Sequence, residues 1–172
     1  MKLNFVKQLL NLEIIDILSV GFIDRDKNST QYVKILNQIL LKTKLGYTQI
    51  KQVDKPDGVY LQFKTKKTLY FDFEIDEEDE FCCSSISHLL LGSYLSGFVV
   101  RDLIIYGNYR AENNSLLCEA IEIDCIAEKL NKKFFIDSYD LDGLVMGNYT
   151  SQDWIDNRNY LNKSLGSRSI LN

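Results

Sequence analysis

The chain has 172 residues, a size that fits one domain, and its 45% hydrophobic share is enough to bury a sizeable core. One proline and nine glycines argue against a disordered or linker-rich chain. A net charge of −4 excludes the domain-wide basic footprint of a nucleic-acid binder.

Met1 to Leu18 is apolar but is interrupted by Asn4, Lys7, Gln8, Asn11, Glu13 and Asp16, which is not the pattern of a secretory signal. No run reaches the roughly 18 apolar residues of a spanning helix, so a cytoplasmic protein without membrane contact is expected. Phe5, Val6, Leu9 and Leu10 have helical spacing. Glu13 to Asp24 reads as a strand and Asp24 to Asn28 as a charged loop. Asn28 or Ser29 then caps a predicted helix that carries Tyr32, Ile35, Leu36, Ile39 and Leu40 and ends near Gly46. Asp54-Lys55-Pro56-Asp57-Gly58 has turn chemistry.

A hairpin is expected next. Val59, Leu61 and Phe63 alternate with polar residues, Lys64 to Lys67 turn the chain, and Leu69, Phe71, Phe73 and Ile75 alternate again. Ile86 to Phe98 predicts an amphipathic helix with Leu89, Leu90, Tyr94 and Leu95. Phe98 to Gly107 predicts a strand. From Ser115 to about Lys132 the residues Leu116, Ala120, Ile123, Ala127 and Leu130 share one helical face, and Lys133 to Asp137 reads as a strand. Trp154, Ile155, Tyr160 and Leu161 suggest a short helix after Ser151. The order β-α-β-β-α-β followed by α-β predicts an α+β fold. It would be a split β-α-β, ferredoxin-like sandwich over a mostly antiparallel sheet. One domain would span residues 1–172, with its core at about 13–138 and a C-terminal extension over 139–172.

The acids between Asp72 and Glu80 fill seven of nine positions. Such a run can hold Mg²⁺, can cover a basic partner, or can be a solvated sheet edge kept from aggregating by charge. Asp16 stands among Ile14, Ile15, Ile17 and Leu18, where a carboxylate needs a partner or a metal. Arg101 and Asp102 interrupt an apolar strand; Arg101 suits either a phosphate or an acidic neighbour. The single His88 excludes any multi-histidine metal site. Cys82, Cys83, Cys118 and Cys125 have no CxxC spacing and fit buried thiols. There is no P-loop and no GxGxxG.

Ile14-Ile15-Asp16-Ile17-Leu18-Ser19-Val20-Gly21-Phe22, then Leu69-Tyr70-Phe71-Asp72, then Val99-Val100-Arg101 with Gly107 downstream, occur in an order that resembles the class III nucleotidyl cyclase catalytic domain. The pyrimidine cyclases of antiphage defence are among its bacterial forms. Asp102 stands where that family has glycine, and Phe71 and Phe73 replace small polar residues. The resemblance implies Asp16 and Asp72 as ligands of Mg²⁺ or Mn²⁺ and Arg101 as a catalytic arginine at the phosphates or a structural one. It also implies a nucleoside triphosphate as substrate and a homodimer with shared sites. Two rivals stand beside it. One is a degenerate cyclase-like module for dimerisation or sensing. The other is an acidic binding protein, an immunity protein or phage-encoded inhibitor, that covers a basic partner such as a nuclease. Its partner-binding residues would be Asp72, Glu74, Asp76, Glu77, Glu78 and Glu80.

Overall fold

The computed structural model describes residues 9–25, 30–56, 58–69, 73–77, 79–92, 97–110, 115–140, 143–147 and 169–171. In chain order these form β1 (Glu13–Asp24), β2 (Gln31–Thr43), β3 (Gly46–Lys55), β4 (Gly58–Lys66), β5 (Glu80–Ser85), α1 (Ser87–Leu91), β6 (Phe98–Arg110), β7 (Ser115–Ala127), β8 (Leu130–Asp140), β9 (Gly143–Gly147) and β10 (Ser169–Leu171). The expected ferredoxin-like sandwich is overturned. Strands β1, β2, β3, β4, β7 and β6 close on themselves as an antiparallel barrel.

The barrel is a run of long hairpins joined at two narrow seams. β1 meets β6 only at Glu13↔Val99 and Ile14↔Phe98, and β4 meets β7 only at Leu61↔Cys118. Beyond those seams extra strands add to several edges. β5 pairs with β1 from Leu18↔Ser85 to Ile23↔Glu80, β8 pairs with β7, β9 with β8, and β10 with β6. Closure is what leaves few unpaired edges in so strand-rich a chain. Ile14, Ile17, Ile39, Leu41, Ile50, Leu61, Ile121, Ile123 and Phe134 fill the interior, and Phe98 meets Phe134 edge-on. At about 25 cal/mol per Å² of apolar surface, this interior is the main stabilising term.

The expected strand Glu13–Asp24 is present as β1, and the turn at Pro56 joins β3 to β4 as expected. The expected strands from Phe98 and from Lys133 lie within β6 and β8. The expected helices are mostly wrong. The stretch from Gln31 is β2. Ile39 and Leu41 enter the core while Leu40 between them is also buried, so both faces of this strand are apolar. That double burial erases the period of two and leaves a spacing that mimics a helix.

The stretch from Ser115 is β7. Ile123 lies in the barrel core, whereas Ala120 packs on the other face with Tyr106 and Phe135. Leu130, assigned by helical spacing to the buried face, is largely exposed. β7 returns into β8 through Glu128 and Lys129, both with positive φ, as a two-residue hairpin turn requires.

Of the helix expected from Ile86, only Ser87–Leu91 is helical among the described residues, and it stops at Gly92 in the left-handed conformation. The second hairpin strand expected from Leu69 is also absent over 73–77, where the chain is irregular. The expected helices at Phe5–Leu10 and after Ser151 fall largely or wholly outside the described residues. Among the described residues no helix is long and apolar enough to cross a membrane.

Candidate functional site

Asp16 is held at a bulge in β1, between Ile14↔Thr43 and Asp16↔Lys42. Its Oδ1 accepts from Ser85 Oγ at 2.7 Å, Ser87 Oγ at 2.6 Å and the backbone N–H of Ile17 at 2.8 Å. The Ile17 N–H also reaches Ser87 Oγ, and Ile86 N–H donates to the Ile17 carbonyl. The carboxylate therefore clasps β1 to the junction of β5 and α1. Three donors converge on Oδ1, and each puts partial positive charge where a cation would sit. These surroundings do not fit a Mg²⁺ or Mn²⁺ ligand at that oxygen. Asp72, the other expected ligand, and Glu78 lie outside the described residues. Among the described residues no group of three or more His, Cys, Asp or Glu side chains is placed to hold a metal ion.

Arg101 is exposed at a second bulge, between Val100↔Cys125 and Asp102↔Asp124. From the Ile14↔Phe98 pair, Asp16 and Arg101 run in opposite directions, which separates them by on the order of 15 Å along the sheet. The fold does not bring these two together. Beside Arg101, Asp102 faces Asp124 across the strands, and Asp124 faces Lys133 on β8. The ammonium of Lys133 bonds the buried Glu122 at 2.9 Å, and that bond raises the lysine pKa above its usual value. One cation thus serves an acidic row on the outer face. Sequence reasoning missed this row, although Glu122 and Asp124 alternate with Ile121, Ile123 and Cys125.

Over residues 73–77 the acidic run is irregular rather than a strand face, and Glu80 begins β5. Glu74, Asp76 and Glu77 are exposed and have no ion-pair partner among the described residues. Asp79 N–H donates to the Asp76 carbonyl, which turns the loop. Phe73 packs edge-on against Phe81 at 5.0 Å and pins its base. Arg25 is the cation that meets it, through an exposed ion pair with Glu80. The pairs Ile23↔Glu80 and Asp24↔Gln31 set the loop at the same end of the barrel as the close of β1 and the start of β2.

A cleft of about 500 Å³ opens on the other side of β2, lined by Lys34, Ile35, Leu36, Asn37, Gln52, Asp54, Val59 and Gly143. It lies within the size range of ligand clefts. β2 carries a wide bulge: Ser19 pairs with Ile39 but Val20 pairs with Ile35, so Leu36, Asn37 and Gln38 have no counterpart on β1. β2 pairs with β3 only from Gln38↔Lys51 onward, so the two strands diverge before that point. Gly143 closes one end; a Cβ there would lie 2.4 Å from the Leu36 carbonyl oxygen, and its φ of +140° is open to glycine. Gln52 Nε2 donates to the Ser138 carbonyl at 3.0 Å, and Ser138 Oγ donates to the Val59 carbonyl, which fixes the floor. Sequence reasoning missed this cleft because it placed Lys34 to Asn37 on a helix. No family model, curated protein or solved structure matches the chain.

Proposed function

We propose that the protein is a binding module whose acidic end, with Glu74, Asp76, Glu77 and Glu80, covers a basic surface on a partner protein. An immunity protein or phage-encoded inhibitor acting on a nuclease would use such a surface. The observation that carries this reading is the exposure of Glu74, Asp76 and Glu77 with no ion-pair partner among the described residues, beside Glu80, which pairs with Arg25. Acids crowded without countercharge raise the local negative potential and speed encounter with a basic partner. The nucleotidyl cyclase reading loses the helix-covered sheet it was built on, and Oδ1 of Asp16 is taken by three donors.

The test is affinity capture with wild type and with a variant carrying Glu74→Lys, Asp76→Lys and Glu77→Lys, followed by binding measurements with the purified captured protein. A basic protein should bind wild type at low salt, weaken steeply as the Debye length falls from about 10 Å to about 3 Å, and ignore the variant. Equal binding to both proteins would overturn the reading. So would a cyclic monophosphate formed from any of the four nucleoside triphosphates with Mg²⁺ or Mn²⁺, which would restore the cyclase reading.

A further inference from the structure

The cleft beside β2 has a property that its volume alone does not convey. Two of its walls, Lys34 to Asn37 on β2 and Gln52 and Asp54 on β3, come from strands that do not pair with each other there. Among the described residues, Gln31 to Ile35 of β2 pair with β1 on one side only, because pairing with β3 begins at Gln38. On β3, Val53, Asp54 and Lys55 pair with β4 on one side only. In an antiparallel pair every second residue turns its N–H and C=O away from the neighbour. Among the described residues, no strand takes up the outward main-chain donors and acceptors of either wall.

We propose that this split in the barrel is a strand-addition site for an extended segment of a partner protein, which pairs with the edge of β2 between Gln31 and Ile35. The unpaired edge of β2 is the longer wall, and five residues of extended chain span about 17 Å. Ile35, Leu36 and Val59 supply apolar surface for every second side chain of the segment. Lys34 and Asp54 supply opposite charges on opposite walls, and neither is in an ion pair among the described residues. The segment that fits is an extended one of alternating character, with an acidic side chain toward Lys34 and a basic one toward Asp54. Main-chain pairing supplies affinity and the side-chain alternation supplies selectivity. This site is separate from the acidic loop, so charge reversal at Glu74, Asp76 and Glu77 does not test it.

The probe is a displayed library of random heptapeptides selected on the purified protein, with recovered peptides synthesised for binding and hydrogen-exchange measurements. The expected binders protect backbone amides within Gln31–Asn37. N-methylation of alternate peptide amides should weaken them about tenfold each, as loss of a main-chain hydrogen bond implies, and the intervening positions should tolerate it. Selection repeated on Lys34→Glu should replace the acidic residue of the recovered peptides by a basic one. The key perturbation is made in the peptide, so a folding defect cannot mimic it. Failure to recover any binder, protection elsewhere on the barrel, or N-methyl effects without alternation would each overturn the proposal.

Discussion

The clasp at Asp16 makes a structural prediction that also bears on the metal reading. Asp16→Ala removes one oxygen that accepts from Ile17 N–H, Ser85 Oγ and Ser87 Oγ. Water replaces it at Ser85, which is exposed. Ser87 is 4% exposed, so its hydroxyl is left without this acceptor, while Ile17 N–H retains its bond to Ser87 Oγ. An orphaned buried hydroxyl costs about 1–3 kcal/mol, and the lost charge-assisted bonds bring the expected total to about 2–3 kcal/mol. Asp16→Asn keeps a carbonyl oxygen in place and forfeits only the charge, so about 1 kcal/mol is expected. Urea unfolding at neutral pH measures both, with an unchanged m-value showing that the same barrel unfolds. Each measurement is repeated with Mg²⁺. A resident Mg²⁺ at about 100 times its Kd would add roughly 2.7 kcal/mol to wild type and nothing to Asp16→Asn. The expected result is no Mg²⁺ effect on either protein. An Ala variant within about 0.5 kcal/mol of wild type, or Mg²⁺ stabilisation lost in the Asn variant, would refute the reasoning.

Ile123 is fully buried in the barrel core, so Ile123→Asp buries an unpaired charge and should lower the melting temperature by about 10 °C or more, if the chain folds at all. Differential scanning calorimetry checks it, and an unchanged transition would show that Ile123 is misplaced. Lys129 holds φ at 67° in the β7–β8 turn, and Lys129→Gly should stabilise by about 0.5–1 kcal/mol in urea; a loss of stability would argue against that turn geometry. Cys118 and Cys125 are fully buried, and burial pushes the Cys125 thiol up to about 12 and that of Cys118 higher still. Iodoacetamide at mildly alkaline pH should therefore label Cys82 and Cys83, slowly, and spare the other two until denaturant is added, as read by mass spectrometry.

Local chemistry determined the elements that sit with one face to the core or at a turn. Glu13–Asp24, the Pro56 turn and the strands beginning at Phe98 and within Leu130–Asp140 were legible because β-branched runs bounded by turn residues specify extended chain with little help from elsewhere. The acidic loop was legible as a cluster of charge, though not as a loop. Tertiary structure alone decided β2 and β7. Gln38 to Leu41 are buried on both faces, and Ala120 on the outer face of β7 is as buried as Ile121 and Ile123. Once apolar residues occupy both faces, a strand and a buried helix carry the same pattern, and only the partners across the sheet distinguish them.

The pairing decided the sites as well. Nothing in the local sequence around Asp16 announces Ser85 and Ser87, which lie some 70 positions away and arrive through the β1–β5 register. The cleft exists only because β2 bulges over Leu36 to Gln38 and parts from β3, and a bulge is a property of two strands in register. The amino-acid sequence by itself set the first strand, the Pro56 turn and the charge of the acidic run. Closure of the barrel, and with it the Asp16 clasp and the cleft beside β2, was decided by long-range pairing.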